Sequence, residues 1–199
     1  MRYIIDLVAL VGLTLVLGAA RPQQLLGVSH NGSAGLRAGD FLQVDYHGKP
    51  GRLVSFGLPG IADGWLMEEI EPGVYRGSVM ILPSFGRYHS ALQVRVSRGH
   101  ESSEVFESER PVVLLPPDSQ RQVFLHQTPD GLRLAFDTTV LINTLDVRLD
   151  GQPLGNDYRP TNNYFEVALP GGLKGSHKLE VSVTTLDDRR LSLERSFIQ

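Results

Sequence analysis

Residues 177–183 read HKLEVSV, and from Lys178 onward polar and apolar side chains alternate. Leu179, Val181 and Val183 therefore share one face, which is the period of a β-strand with one buried side. The same alternation recurs at residues 91–96 and 74–81, and Gly, Pro, Asn and Asp separate these stretches. Short strands about ten residues apart with such punctuation predict an antiparallel sandwich or barrel.

The first twenty residues have a different character. Arg2 precedes an uninterrupted apolar run from Leu7 to Leu17, and small residues follow at 18–20. This is the pattern of a cleaved signal peptide. A retained membrane anchor and a buried core helix are alternatives, although Asp6 leaves only a marginal span. Either export interpretation places the rest of the chain in the periplasm or at the cell surface, and the membrane is contacted only through residues 3–20, as an inner-membrane anchor, if the segment is not cleaved.

A proline pair divides the remaining chain. The apolar stretch 112–115 ends in Pro116 and Pro117, which cannot donate ladder hydrogen bonds. We predict one domain at residues 24–116 and another at 118–199, each expected to bury its own alternating face. Their lengths suit immunoglobulin-like sandwiches of about 100 residues. The expected fold is all-β, with two tandem immunoglobulin-like antiparallel β-sandwich domains after the N-terminal signal or anchor helix at 1–20.

Periodicity and turn residues also predict the individual strands. The predicted strands are 25–30, 41–47, 51–57, 65–70, 74–82, 90–97, 103–108, 111–115, 121–127, 132–137, 144–149, 163–168, 177–185 and 191–198.

Composition excludes several classes of function. The chain contains no cysteine, which rules out disulfides, cysteine nucleophiles and thiolate metal sites. Its formal net charge of -3 argues against a general nucleic-acid binder. We therefore expect no nucleic-acid partner.

Several stretches carry a resemblance to known modules. GLRAGDFLQV at 35–44, GKPGRLVSF at 48–56 and EPGVYRG at 71–77 resemble immunoglobulin-like β-sandwich modules attached to bacterial cell-envelope proteins, including some cell-wall amidases. Residues 144–185 resemble another bacterial module of this type. The resemblance implies an accessory or binding role in the envelope. It supplies no catalytic residue, because the catalytic domain that accompanies such modules has no counterpart here.

The search for reactive residues finds no strong motif. The six histidines include no pair at the close spacing typical of a compact zinc site, and His177 is expected to make a structural hydrogen bond. No G-x-S-x-G elbow or phosphate-binding glycine loop is present. A calcium site is the less favoured interpretation of six acidic or amide residues in predicted turns of the second domain, where hydrogen bonding to the turn's own backbone is the commoner use. These are Asp130, Asp150, Asn156, Asp157, Asp187 and Asp188. We predict no catalytic residue, no metal site and no cofactor.

Trp65, the only tryptophan, is the one candidate partner-binding residue. With Met67 and Ile70 it could form an exposed platform for a glycan or a protein, although a core position is the commoner fate of a lone indole in a sandwich. The function expected is a non-catalytic, exported envelope accessory protein that binds a protein or cell-wall glycan through sandwich edges or loops. The alternatives are a membrane-anchored small subunit of a larger membrane complex and, less favoured, an envelope hydrolase.

Overall fold

The computed structural model describes residues 27–98, 102–117, 121–128, 131–155 and 158–198. The signal or anchor segment at 1–20 lies outside these ranges. Within them the protein is all-β, with eighteen strands and two short 3-10 turns at Gly32–Ala34 and Pro83–Phe85. None of the helical segments in this part of the chain has the length and apolar character needed to span a membrane.

The strands follow one another in chain order. They are β1 Gly27–His30, β2 Phe41–His47, β3 Leu53–Leu58, β4 Ala62–Leu66, β5 Glu68–Glu71, β6 Val74–Met80, β7 Tyr88–Ser90, β8 Gln93–Arg98, β9 Ser102–Glu107, β10 Val112–Leu114, β11 Val123–Thr128, β12 Gly131–Phe136, β13 Val140–Leu149, β14 Gln152–Pro153, β15 Tyr158–Thr161, β16 Tyr164–Ala168, β17 Ser176–Thr185 and β18 Arg190–Ile198.

Most strands lie within a few residues of their predicted positions, and β2 spans the predicted 41–47. Two predictions are wrong, because in each case the structure has two strands where the sequence predicted one. The stretch 65–70 divides into β4 and β5, and the stretch 90–97 overlaps both β7 and β8. In both cases the chain changes sheet, which alternation of side chains does not report. The short β14, and β15 with its internal Pro160, were not predicted.

The first sandwich is built from residues before the proline pair. One sheet has the order β1-β2-β6-β5, another has the order β4-β3-β8-β9, and β10 pairs with β7. Side chains from both larger sheets form one core, with Tyr75 and Phe56 at 0% and 1% exposure. Gly77 makes this close approach possible, because a Cβ atom there would lie 2.6 Å from the Phe56 ring. Any side chain at Gly77 would have to displace that ring.

The second sandwich pairs a sheet of order β11-β12-β16-β15 with one of order β14-β13-β17-β18. Its core contains Leu134, Val147, Leu179 and Val181, all at 2% exposure or less. The alternation in residues 177–183 therefore corresponds to a strand, β17, whose apolar face is buried as expected.

A third cluster lies where the two sandwiches meet. Met80 and Leu82 of the first contact Phe124, Ala135 and Tyr164 of the second, and Met80 and Ala135 are fully buried. The expectation that each half buries only its own face is thus incomplete, because β6 continues its apolar pattern into a shared contact. The domain boundary at Pro116 and Pro117 stays a prediction.

Candidate partner-binding surface

Trp65 lies in the core of the first sandwich. Its side chain is 9% exposed, and its ring centroid lies 5.4 Å from that of Phe56 and 5.8 Å from that of Phe85. Met67 is also buried, whereas Ile70 is 44% exposed, so the three do not form one exposed platform. A partner-binding role for Trp65 stays a prediction, and its packing indicates a structural role.

The outer face of the β4-β3-β8-β9 sheet carries apolar side chains, although a face exposed to water normally carries polar ones. Register places Leu66, Ser55, Arg95 and Val105 in one row across the four strands. Leu53 lies on the same face, two residues before Ser55. Leu53, Leu66 and Val105 are 63%, 58% and 50% exposed. We call these five residues the outer patch.

A cavity of about 250 Å³ lies beside the outer patch, under the β3–β4 hairpin. Phe56, Leu58 and Ile61 supply its apolar lining. The hairpin folds closely across β3 because Gly57 has no side chain, and a Cβ atom there would lie 2.7 Å from the Cα of Asp63. The pairing of β3 with β4 shifts register at this point.

An ion pair stands at the rim of this cavity. Arg95 Nη1 lies 3.6 Å from Asp63 Oδ2, and both side chains are largely exposed. Such a pair contributes little to stability in water, and both groups are accessible to an incoming molecule. The surface therefore combines aliphatic side chains, a small apolar depression and two opposite charges, which suits recognition rather than bond-making chemistry.

Asp150 and His177 form a structural contact, as the sequence predicted for the histidine. His177 Nδ1 donates to Asp150 Oδ2 at 2.7 Å, and Lys178 N donates to Asp150 Oδ1 at 2.8 Å. These hydrogen bonds, that of His177 foremost, lower the pKa of the Asp150 carboxyl. Asp150 also takes a positive φ of 50°, as turn aspartates do.

The other turn residues considered for calcium behave similarly where they are described. A hydrogen bond from the Thr185 hydroxyl, followed by one from Arg189, lowers the pKa of Asp187. Asp188 occupies the turn with a φ of 57°. Asp130, Asn156 and Asp157 lie outside the described residues. In the part of the chain that the structure describes, no three His, Asp or Glu side chains converge as a metal site requires.

The residues of the outer patch were not identified from the sequence. Leu53 and Leu66 occur in strands with apolar residues on both faces, so their exposure becomes visible only when the inner face is known. The sequence contains one indication, the alternation of side chains in β8. Val94 and Val96 are buried there, so Arg95 between them must point outward. Cross-strand neighbours of Arg95 then share its outward direction.

No family model matches this chain, and no curated protein matches it. Among solved structures, the chain is similar to the fibronectin(III)-like modules of Clostridium thermocellum CbhA at 16% identity and a TM-score of 0.28, over 86% of this chain and 93% of that one. It is similar to the tandem Ig domains of titin at 10% identity and a TM-score of 0.28, over 87% of this chain and 95% of that one.

A third solved structure is the Bacteroides ovatus mixed-linkage glucan utilization locus protein SGBP-B, in complex with a mixed-linkage heptasaccharide. The identity is 11% and the TM-score 0.25, and the match covers 90% of this chain but only 46% of that one. The chain is thus similar to immunoglobulin-like and fibronectin(III)-like modules, and at such low TM-scores the likeness carries no conclusion about function.

Proposed function

We propose that this protein is a non-catalytic binding module of the cell envelope that docks a protein partner on the outer patch. The observation that supports this most is the exposure of three aliphatic side chains, Leu53, Leu66 and Val105, on one face of one sheet. A solvated sheet face normally carries polar residues. Covering apolar surface releases about 25 cal/mol per Å², so a partner gains most at such a face.

The chemistry of the patch favours a protein over a glycan. In the described ranges every Phe, Tyr and Trp side chain is buried or half-buried. A flat exposed ring for stacking on a sugar is therefore missing from the described surface. Aliphatic side chains around Arg95 and the cavity instead suit an apolar side chain with a nearby carboxylate, as a protein partner supplies.

Location in the envelope is also part of the proposal. It rests on the n-region, apolar run and small residues of segment 1–20. The alternative is a retained anchor, which would make the protein a subunit of a membrane complex. Mass spectrometry of the protein isolated from its own cells decides between them, since cleavage removes both Met1 and Arg2. An intact N-terminus in the cytoplasmic fraction would contradict both.

Site-specific photo-crosslinking in intact cells tests the binding surface. A photoreactive residue replaces Leu66 or Val105, and a matched control replaces Leu186, which is 64% exposed but lies in the second sandwich. We expect one protein to be crosslinked from both patch positions and not from the control. Arg95→Glu should abolish that adduct without changing the melting temperature. Identical adducts from all three positions, or none from the patch, would contradict the proposal.

A further inference from the structure

Along the outer edge of β18, a regular set of backbone groups has no partner strand among the described residues. Asp150 N donates to Lys178 O, so even-numbered residues of β17 point their backbone groups toward β13. Odd-numbered residues of β17 therefore face β18, and Thr185 N indeed donates to Arg189 O. On β18 the odd-numbered residues consequently bond to β17. The even-numbered ones direct N–H and C=O away from the sheet.

No described strand pairs with this edge, since β18 ends its sheet in the order β14-β13-β17-β18. The edge is nine residues long. At residues 193–195 the edge borders a groove of about 750 Å³, which is also lined by residues 121 and 123–125 and by residues 38–39 of the first sandwich. An additional strand therefore finds backbone partners along the edge.

The charged side chains of β18 indicate which strand could pair with it. On the outward face Arg190, Ser192 and Glu194 follow one another, so a second β18 in antiparallel orientation can match their charges. If Ser192 lies opposite Ser192 of the partner subunit, Arg190 lies opposite Glu194 of the partner subunit, and the pair occurs twice. Leu191 then lies opposite Leu193 of the partner subunit.

Other registers lose this match. Centring the pair on Glu194 or on Arg190 sets like charges against each other, and centring it on Ser196 leaves Glu194 opposite Ile198 of the partner subunit. In the chosen register Arg189 lies opposite Arg195 of the partner subunit. Both have contacts within their own chain, since Arg189 Nε is 2.6 Å from Asp187 Oδ2 and Arg195 Nη1 donates to Leu125 O. Arg190 and Glu194 have such contacts too, because Arg190 Nη2 donates to Ser182 Oγ and Lys178 Nζ lies 3.1 Å from Glu194 Oε1. Those two contacts are exposed, so a partner strand can still reach both charges.

We propose that two copies of this chain pair antiparallel along β18, centred on Ser192, to form one continuous eight-stranded sheet. The arrangement is a two-fold symmetric interface in which main-chain hydrogen bonds hold the edges and the Arg190–Glu194 pairs set the register. It does not depend on the outer patch, which lies on the other sandwich. Dimerisation would present two copies of that patch together.

A cysteine scan of the purified protein tests the register, because the natural chain has no cysteine. Ser192→Cys places two thiols opposite each other at a Cα separation of about 5.5 Å, within disulfide range. We expect Ser192→Cys to form a covalent dimer under mild oxidation. Ser196→Cys, the matched control four residues further along the same face, should remain mostly reduced. Equal dimer yields from the two variants would overturn the register.

Sedimentation velocity of cysteine-free protein tests the charges. We expect a reversible dimer whose dissociation constant rises about tenfold or more in Arg190→Glu and in Glu194→Arg, because each sets like charges opposite each other. The double exchange R190E/E194R should restore the wild-type value. Arg159→Glu, on the edge strand β15 of the other sheet, is the control and should change nothing. A monomer at all concentrations, or a dimer indifferent to both reversals, would overturn the proposal.

Discussion

The side-chain amide of Asn163 hydrogen-bonds both backbone groups of Met80, in the way that the backbone of a neighbouring strand would. Its Nδ2 donates to Met80 O at 2.7 Å, and its Oδ1 accepts from Met80 N at 2.9 Å. Asn162 does the same for Leu66, with an N–H···Oδ1 distance of 2.9 Å and an Nδ2···O distance of 3.2 Å, and also donates to Ser78 O. The tip of the β15–β16 hairpin thus satisfies backbone groups of β4 and β6, one in each sheet of the first sandwich, and joins the two halves of the chain.

Asn163→Leu should lower the free energy of unfolding by about 1–3 kcal/mol, because Met80 N and O lose their partners in a partly buried contact. Denaturant titration of the whole protein measures the change. Asn143→Leu is the control, since Asn143 is exposed on β13 and should change stability by about 0.5 kcal/mol or less. Equal losses in the two variants would show that the amide contacts contribute nothing specific.

A fragment of residues 24–116 should fold with a strand-type circular dichroism spectrum but unfold at a lower denaturant concentration than the full protein. Met80 and Leu82 lose their cover from the second sandwich, and an uncovered side chain of this size costs about 1.5–3 kcal/mol. The fragment should also bind a hydrophobic dye, and Met80→Thr should reduce that binding. If the fragment is unfolded, the boundary at Pro116 and Pro117 is wrong.

Val181→Asp should unfold the second sandwich, whereas Glu180→Ala should be nearly neutral. Val181 is 2% exposed, and a carboxylate there would be buried without a partner, at a cost of roughly 3–5 kcal/mol. Glu180 points outward, where its ion pair with Lys178 is partly exposed to water and contributes little to stability. Thermal melts of both variants give the comparison, and similar melting temperatures would contradict the assigned faces.

Asp150→Asn should remove part of the acid sensitivity of the fold. The pKa of Asp150 is lowered in the folded state by His177 and by Lys178 N, so its stabilisation is complete above the ordinary carboxyl pKa. It is lost as pH falls through the lower folded value, in the range below about pH 4. The variant should therefore melt lower than wild type at neutral pH, with the two curves converging in acid.

Asparagine tolerates the positive φ at position 150, so the backbone turn is kept in this variant. Glu71→Gln is the control, because it likewise replaces a carboxyl group by an amide, at an exposed site. It should leave the dependence of the melting temperature on pH as in wild type. Parallel curves for wild type and Asp150→Asn over the whole pH range would contradict the role assigned to the His177 contact.

Side-chain alternation alone determined the strand class and much of the core. Leu179, Val181 and Val183 recur at a period of two, a pattern that only a strand can bury on one side, and they are buried in β17. The position of β2 follows from an equally local pattern. Turn residues such as Asp150 are similarly readable, because their preference for positive φ is intrinsic.

Contacts between distant parts of the chain decided the rest. Trp65 is covered by Phe85, twenty residues later, and Leu66 is exposed because it points to the outer face of its sheet, away from the core. Asn162 and Asn163 read as an ordinary turn, and their role depends on Leu66 and Met80, more than eighty residues away. Local periodicity reports which side of a strand is apolar. It does not report which neighbour covers that side, because the neighbour is brought there only by the folded sheets.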